Sequence, residues 1–196
     1  TQSHFEAEII ECQRKNVSLK LLKQIKTQIE SPLNIHLGQA ISKGDRFEFV
    51  VQKSTELGIS DITPLWTERC DVKLNPERFD KKLKQWQQIA IAACEQSGRD
   101  IVPIIHPPQK INHWIETVDA QEKWVLDPRG KIQNSDEKTI TSACLLIGPE
   151  GGLSDKEVEL TCLQEFKAKL MGPRILRTET AALTAITLLQ NKWGDF

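Results

Sequence analysis

The sequence predicts an α/β fold: a mainly parallel sheet with helices on both faces. Three observations carry that expectation. Strand-like and helix-like segments alternate after Pro32, as in successive βαβ units. Ala143 to Ile147 is an unbroken apolar run, the pattern of a central parallel strand covered on both faces. The chain has 196 residues, 39 % of them hydrophobic, enough for one substantial core without a disulfide or metal staple.

Residues 5–29 alternate loosely, with Ala7 and Ile9, then Val17, Leu19 and Leu21. That predicts two short strands of a small β module. Glu30, Ser31 and Pro32 read as a linker, because proline biases its predecessor to an extended conformation. Asn34–Ala40 is strand-like. Asp45 and Glu48 have capping-box spacing, and Phe47, Val50, Val51, Ser54 and Leu57 then line one helical face. Gly58 stands where a helix end favours a left-handed residue. Ile59–Trp66 is the next strand. Asn75 as N-cap and Pro76 at the first helical position open a second helix. Its stripe is Phe79, Leu83, Trp86, Ala90 and Ala93, and Gly98 ends it. Ile101–Ile105 is expected as a strand, Ile111–Val118 as a short helix, and Lys123–Leu126 as another strand. Ser154 and Glu157 form a capping box for a helix to about Glu165. Lys169–Met171 reads as a short strand. Thr178 or Thr180 begins a final helix with Ala182, Ile186, Leu189 and Trp193 on one face. That is more apolar surface than a peripheral helix of one small domain needs, which predicts a homodimer.

Lys and Arg number 26 against 27 Asp and Glu, a net charge of −1. This is no generic polycation, although patches matter more than totals. Arg14 to Lys26 holds five basic residues and no acidic one. A second cluster runs through Arg69, Lys73, Arg78, Lys81, Lys82 and Lys84, diluted by Asp71, Glu77 and Asp80. Either cluster alone reads first as a solvated face. The longest apolar run, Ile89 to Cys94, spans six residues, far short of the ~20 that cross a bilayer. No secretory signal pattern is present. The five cysteines fall in no CxxC or Cys/His pattern, which predicts reduced thiols in a cytosol and no metal site. Thr1 in place of Met suggests a fragment whose natural start is missing.

Two segments could carry chemistry. Gly148-Pro149-Glu150-Gly151-Gly152 lies between the apolar strand and the capped helix, a tight turn whose backbone can approach a ligand. It lacks the Gly-Lys-Ser/Thr ending of a phosphate loop and the GxGxxG of a dinucleotide fold. The second segment runs from Leu170 through Gly172, Pro173, Arg174 and Arg177 to Ala182. Its helix start, with Arg177, could bind an anion or polarise a carbonyl. Plain turns and ordinary capping, with Glu179 favourable in the first turn, are the bland alternatives.

Together these segments resemble the paired signature of the SPOUT methyltransferases, and within them the RsmE family, which methylates N3 of one uridine in 16S ribosomal RNA. Gln52 to Gly58, Glu68-Arg69-Cys70 and Glu95 to Arg99 are also similar to that family. The resemblance covers roughly residues 33–194. It implies S-adenosylmethionine (SAM) held in a C-terminal trefoil knot, a homodimer, and the 30S subunit as partner in the cytoplasm. Residues 33–196 would form the methyltransferase domain, and residues 1–30 the C-terminal part of a PUA-like β-barrel that binds RNA.

Leu126 and Ile147 end two strands, and Leu170, Met171, Ile175 and Leu176 flank the Gly-Pro turn, residue types that suit an adenine slot. Gly148, Gly151, Gly152 and Gly172 would admit the ligand. The resemblance adds Glu150, Arg177, Thr178, Thr180 and Ala181 to the cofactor set. Uridine N3 carries a proton, so its methylation needs a base or cations that stabilise charge on O2 and O4. Arg177 is the first choice for that role. Glu179 could be the base, but a carboxylate at a helix N-terminus is a weak one, so capping ranks above catalysis. Arg69, Arg99 and Arg129 could hold RNA phosphates. Lys53 joins them as an RNA contact, although Lys53 and Glu56 stand an i,i+3 step apart and could simply pair. The histidines receive no role. Three other readings remain: a non-catalytic RNA-binding module, a SPOUT methyltransferase acting on another RNA, and a nucleotide-phosphate enzyme using the Gly-Pro-Glu-Gly-Gly turn without its lysine.

Overall fold

The computed structural model describes residues 3–70, 76–131 and 139–196. The chain begins with an antiparallel hairpin of β1 (Ser3–Cys12) and β2 (Val17–Lys26), each ten residues long rather than short. Ile9 pairs with Leu19 and Ala7 with Leu21. The large apolar side chains of this ribbon, among them Phe5, Ile9, Leu19, Leu21 and Ile25, are exposed.

The expected linker is instead a built junction. The Glu30 carboxylate accepts from Arg99 Nε at 3.0 Å and Nη2 at 2.6 Å, and from the backbone N–H groups of Asp100 and Ile101. Ser31 Oγ donates to Gln190 Oε1 at 2.6 Å. Asp100 also meets His4 at 2.6 Å and the Thr27 hydroxyl, tying the hairpin to the rest.

Beyond the junction come β3 (Asn34–Ala40), α1 (Arg46–Glu56), β4 (Asp61–Trp66), α2 (Pro76–Ser97), β5 (Ile104–Ile105), β6 (Gln109–Lys110) and α3 (Ile111–Thr117). They are followed by β7 (Glu122–Lys131), β8 (Ser142–Ile147), α4 (Asp155–Leu163), β9 (Lys167–Lys169) and α5 (Thr178–Trp193). The strands form one parallel sheet in the order β5-β4-β3-β8-β7-β9, with β6 beside β4. Alternate residues of β8 face opposite layers. Ala143, Leu145 and Ile147 join a core with Phe47, Val50, Trp86 and Ile186 of α1, α2 and α5. Cys144 and Leu146 join Ile111, Trp114 and Ile115 of α3 and Val158 of α4.

Several expectations shift. Asp45 precedes α1 but its side chain makes no cap bond; Glu48 instead accepts from Lys82 and Gln85 of α2. A tertiary partner outcompetes the local one. The box at Ser154 and Glu157 does form, and Glu157 also accepts from the Glu68 N–H. The strand expected over 101–105 is only Ile104–Ile105, since Pro103 offers no N–H to a ladder. β9 lies two residues earlier than expected, and 170–177 leave the sheet. Asn75, Lys73 and Asp71 lie outside the described residues. Ala182, Ile186 and Leu189 of α5 are fully buried within the chain, so the apolar face read as a dimer surface is core.

Candidate functional site

In a parallel sheet, ligands bind beyond the carboxyl ends of the strands, and here a cavity of about 820 Å³ opens there. Its walls come from the ends of β7 and β8, the turn 148–153, and the segment 169–181. Two glycines shape the turn. A Cβ on Gly148 would come within 3.0 Å of Leu153 Cγ and 3.1 Å of Leu153 N, and Gly152 has φ +68°, a conformation costly for other residues. Arg69 Nη1 donates to the carbonyls of Gly151 at 2.9 Å and Leu153 at 3.4 Å. Arg46, at the start of α1, pairs with Glu150 at 2.6 Å.

The second wall is held by a relay from inside the protein. Gln39 Nε2 on β3 donates to Thr178 Oγ1 at 2.9 Å, and Thr178 donates to the Gly148 carbonyl at 2.8 Å. This joins the first turn of α5 to the Gly-Pro-Glu-Gly-Gly turn. Among the described residues none accepts a hydrogen bond from the backbone N–H groups of Met171, Gly172, Arg174, Ile175 and Leu176, so polar backbone borders the cavity beside the apolar Leu126, Ile147, Leu170, Met171 and Leu176.

The structure brings together Leu126, Ile147, Gly148, Glu150, Gly151, Gly152, Leu170, Met171, Ile175, Leu176, Arg177, Thr178 and Ala181 around this cavity, with Glu179. Gly172 and Thr180 do not line it. Gly172 turns the chain with φ +87°, and Thr180 is exposed on α5. Thr178 is buried and its hydroxyl serves the relay.

The expected RNA contacts divide. Arg69 lines the cavity without a carboxylate partner among the described residues. Arg129 also lines the cavity, but its guanidinium is already paired. It holds Asp127 through its own N–H, Nε and Nη2, and pairs with Asp155 as well. Those hydrogen bonds hold the Asp127 carboxyl below its ordinary range. Arg99 turns inward. Its side chain is 7 % exposed, paired with Glu30 and donating to the carbonyls of Thr55 and Ile59, so it anchors the junction. Lys53 pairs with Glu56 at 2.8 Å, away from the cavity.

Arg177 is the N-cap residue of α5, exposed at the cavity wall, with no hydrogen bond or ion pair from its guanidinium among the described residues. Glu179 and Arg174 share that condition. Glu179 thus makes no capping bond. Sequence reasoning overlooked Arg46, Asp127 and Lys169 as cavity residues. The local sequence did not mark them: Asp127 follows the expected strand Lys123–Leu126, Lys169 opens the expected strand Lys169–Met171, and topology brings both to the cavity. Burial holds the Lys169 ammonium below its ordinary pKa, 5.1 Å from the Trp124 ring centroid.

Comparison with known proteins agrees with this geometry. Residues 29–190 match the RNA methyltransferase domain family. Ribosomal RNA small subunit methyltransferase E of Buchnera aphidicola (Acyrthosiphon pisum) is 39 % identical, the match covering 98 % of this chain and 77 % of that protein. Its Bacillus subtilis counterpart is 32 % identical, with 96 % and 78 % covered. A Legionella pneumophila methyltransferase solved with bound SAM superposes at TM-score 0.95, with 43 % identity, over 100 % of this chain and 81 % of that one. The Neisseria gonorrhoeae methyltransferase E bound to SAM gives 0.92 and 37 %, with the same coverage. The chain belongs to the ribosomal RNA small subunit methyltransferase E family.

Proposed function

We propose that the chain uses SAM to methylate N3 of a uridine in 16S ribosomal RNA of the small subunit. The relatives' names specify small-subunit ribosomal RNA, and two similar structures contain SAM. The observation that carries the reading is one cavity walled by both Gly/Pro segments, with Arg177 unpaired among the described residues at its edge. Its volume suits a ligand of that size, and its apolar floor beside polar backbone suits adenine. When bound, SAM supplies an electrophilic methyl group. Leu126, Ile147, Leu170, Met171 and Leu176 hold the adenosyl part and exclude water. Arg177 stabilises the negative charge that grows on the uracil oxygens, Glu179 receives the N3 proton, and Arg69 holds an RNA phosphate.

The same reading extends to the whole molecule. The course from the edge strand β9 back to α5, which packs on α1 and β8, supports a trefoil knot. Residues 1–30 are read as the end of a PUA-like barrel, because a two-stranded ribbon with exposed apolar residues needs further strands. The homodimer is retained on the exposed Phe49 and Leu188 of α1 and α5. Action on ribosomal RNA places the enzyme in the cytoplasm, and no described helix is long and apolar enough to cross a membrane.

Calorimetric titration with S-adenosylhomocysteine tests the site. The folded chain is expected to bind about one molecule per subunit, and Met171→Arg, which puts a charge on the cavity floor, to abolish binding with the helical spectrum intact. Absence of binding by the parent chain contradicts the proposal.

A further inference from the structure

We infer that Gln39, a core residue outside the cavity, is a positioning residue for methyl transfer, acting through Thr178 on the distance between the two cavity walls. The inference rests on the reading of the cavity as the methyl-transfer site. Gln39 is fully buried on the central strand β3. Its strand neighbours are Ile147 of β8, which immediately precedes Gly148, and Pro64 of β4.

The bonds have a direction. Thr178 has one hydroxyl proton, given to the Gly148 carbonyl, so it can only accept from Gln39. The amide nitrogen must therefore face Thr178, and it reaches the Ala40 carbonyl as well. The amide oxygen then has no hydrogen-bond partner among the described residues. A buried acceptor left unpaired is costly, and leucine would fill the same space without it. An apolar strand position thus holds an amide whose donor is used and whose acceptor is orphaned. What the donor secures is the backbone on either side of Thr178: Arg177 before it and Glu179 after it. Through Thr178 that backbone is linked to the turn that lies against the cofactor cavity. Gln39 itself does not line the cavity.

Gln39→Leu separates this role from a structural one. A residue kept for stability would lower the melting temperature when replaced. The expected result is a melting temperature equal to or above the parent's, S-adenosylhomocysteine affinity within threefold, and faster amide exchange at residues 177–181. In the full protein acting on 30S subunits, kcat should fall at least tenfold with KM for either substrate changed less than threefold. Thr178→Val, which cuts both links, should lower kcat further and weaken S-adenosylhomocysteine binding at least tenfold, and Thr178→Ser should restore both. A Gln39→Leu variant within twofold of parental kcat, or one whose loss tracks a lower melting temperature alone, overturns the inference. So does a Thr178→Ser variant no better than Thr178→Val. If the parent binds no S-adenosylhomocysteine, the site reading has failed instead; unchanged exchange at 177–181 in Gln39→Leu overturns the relay independently.

Discussion

Arg177 is poised by its place rather than by its partners. Its backbone caps α5, its carbonyl accepting from the Ala181 N–H at 2.8 Å, while its guanidinium stays unpaired among the described residues at the cavity wall. A preorganised cation aimed at developing charge acts mainly in the transition state. Arg177→Ala should lower single-turnover methylation by about 10²–10³, with S-adenosylhomocysteine affinity nearly unchanged, and Arg177→Lys should rescue only in part. Weaker RNA binding with a near-normal rate at saturating RNA would make it a phosphate contact. A second titratable residue sits at the opposite end of the strands. His36 stacks on His106 with centroids 5.1 Å apart, and its Nε2 faces Thr63 Oγ1 at 2.8 Å and the Trp114 indole N–H. Burial, against the attraction of Asp61, lowers its pKa to about 4 from an ordinary 6.5. The unfolded chain therefore takes up a proton that the fold refuses. This contribution is complete above pH 6.5 and is lost as pH falls toward 4, by at most about 3 kcal/mol. The melting temperature should drop across that window, and less steeply in His36→Asn; equal slopes would remove His36 as the cause.

At the scale of elements, the junction before β3 and the cap of α4 show what sequence can and cannot reveal. The capping box at Ser154 was legible because its partners are three residues apart. Ser154→Ala should cost about 1 kcal/mol in denaturant unfolding. Arg99 was not legible, because its carboxylate partner lies 69 residues away. Its motif resembles family sequence, yet the side chain points inward. Removing one member of a buried pair leaves the other uncompensated, so Arg99→Ala should lose about 3–5 kcal/mol. RNA affinity of the protein that remains folded should stay near the parent's; a selective loss of RNA binding with full stability would restore the phosphate role. The apolar stripe of α5 was read correctly as a stripe and wrongly as surface, since periodicity marks a buried face without saying what buries it. β8, by contrast, could be placed at the centre of the sheet from composition alone, because only a strand covered on both faces tolerates five successive apolar residues.

For the whole molecule, the sheet order brings three strand ends and a non-regular segment to one opening, and those pieces are distant in sequence. The glycines and Arg177 announced two walls. Arg46 and Asp127 joined them only through topology, which pairs β3 with β8 and sets β7 alongside. Sedimentation of the full protein at micromolar concentration should give twice the subunit mass; a folded monomer would remove the dimer. The most direct measurement is nucleoside analysis of 16S ribosomal RNA after unmodified 30S subunits are incubated with the full protein and methyl-labelled SAM. The label should appear in 3-methyluridine at one site, and about 10²–10³ more slowly with Arg177→Ala. Label in another nucleoside, or none from a protein that binds SAM, would contradict the account.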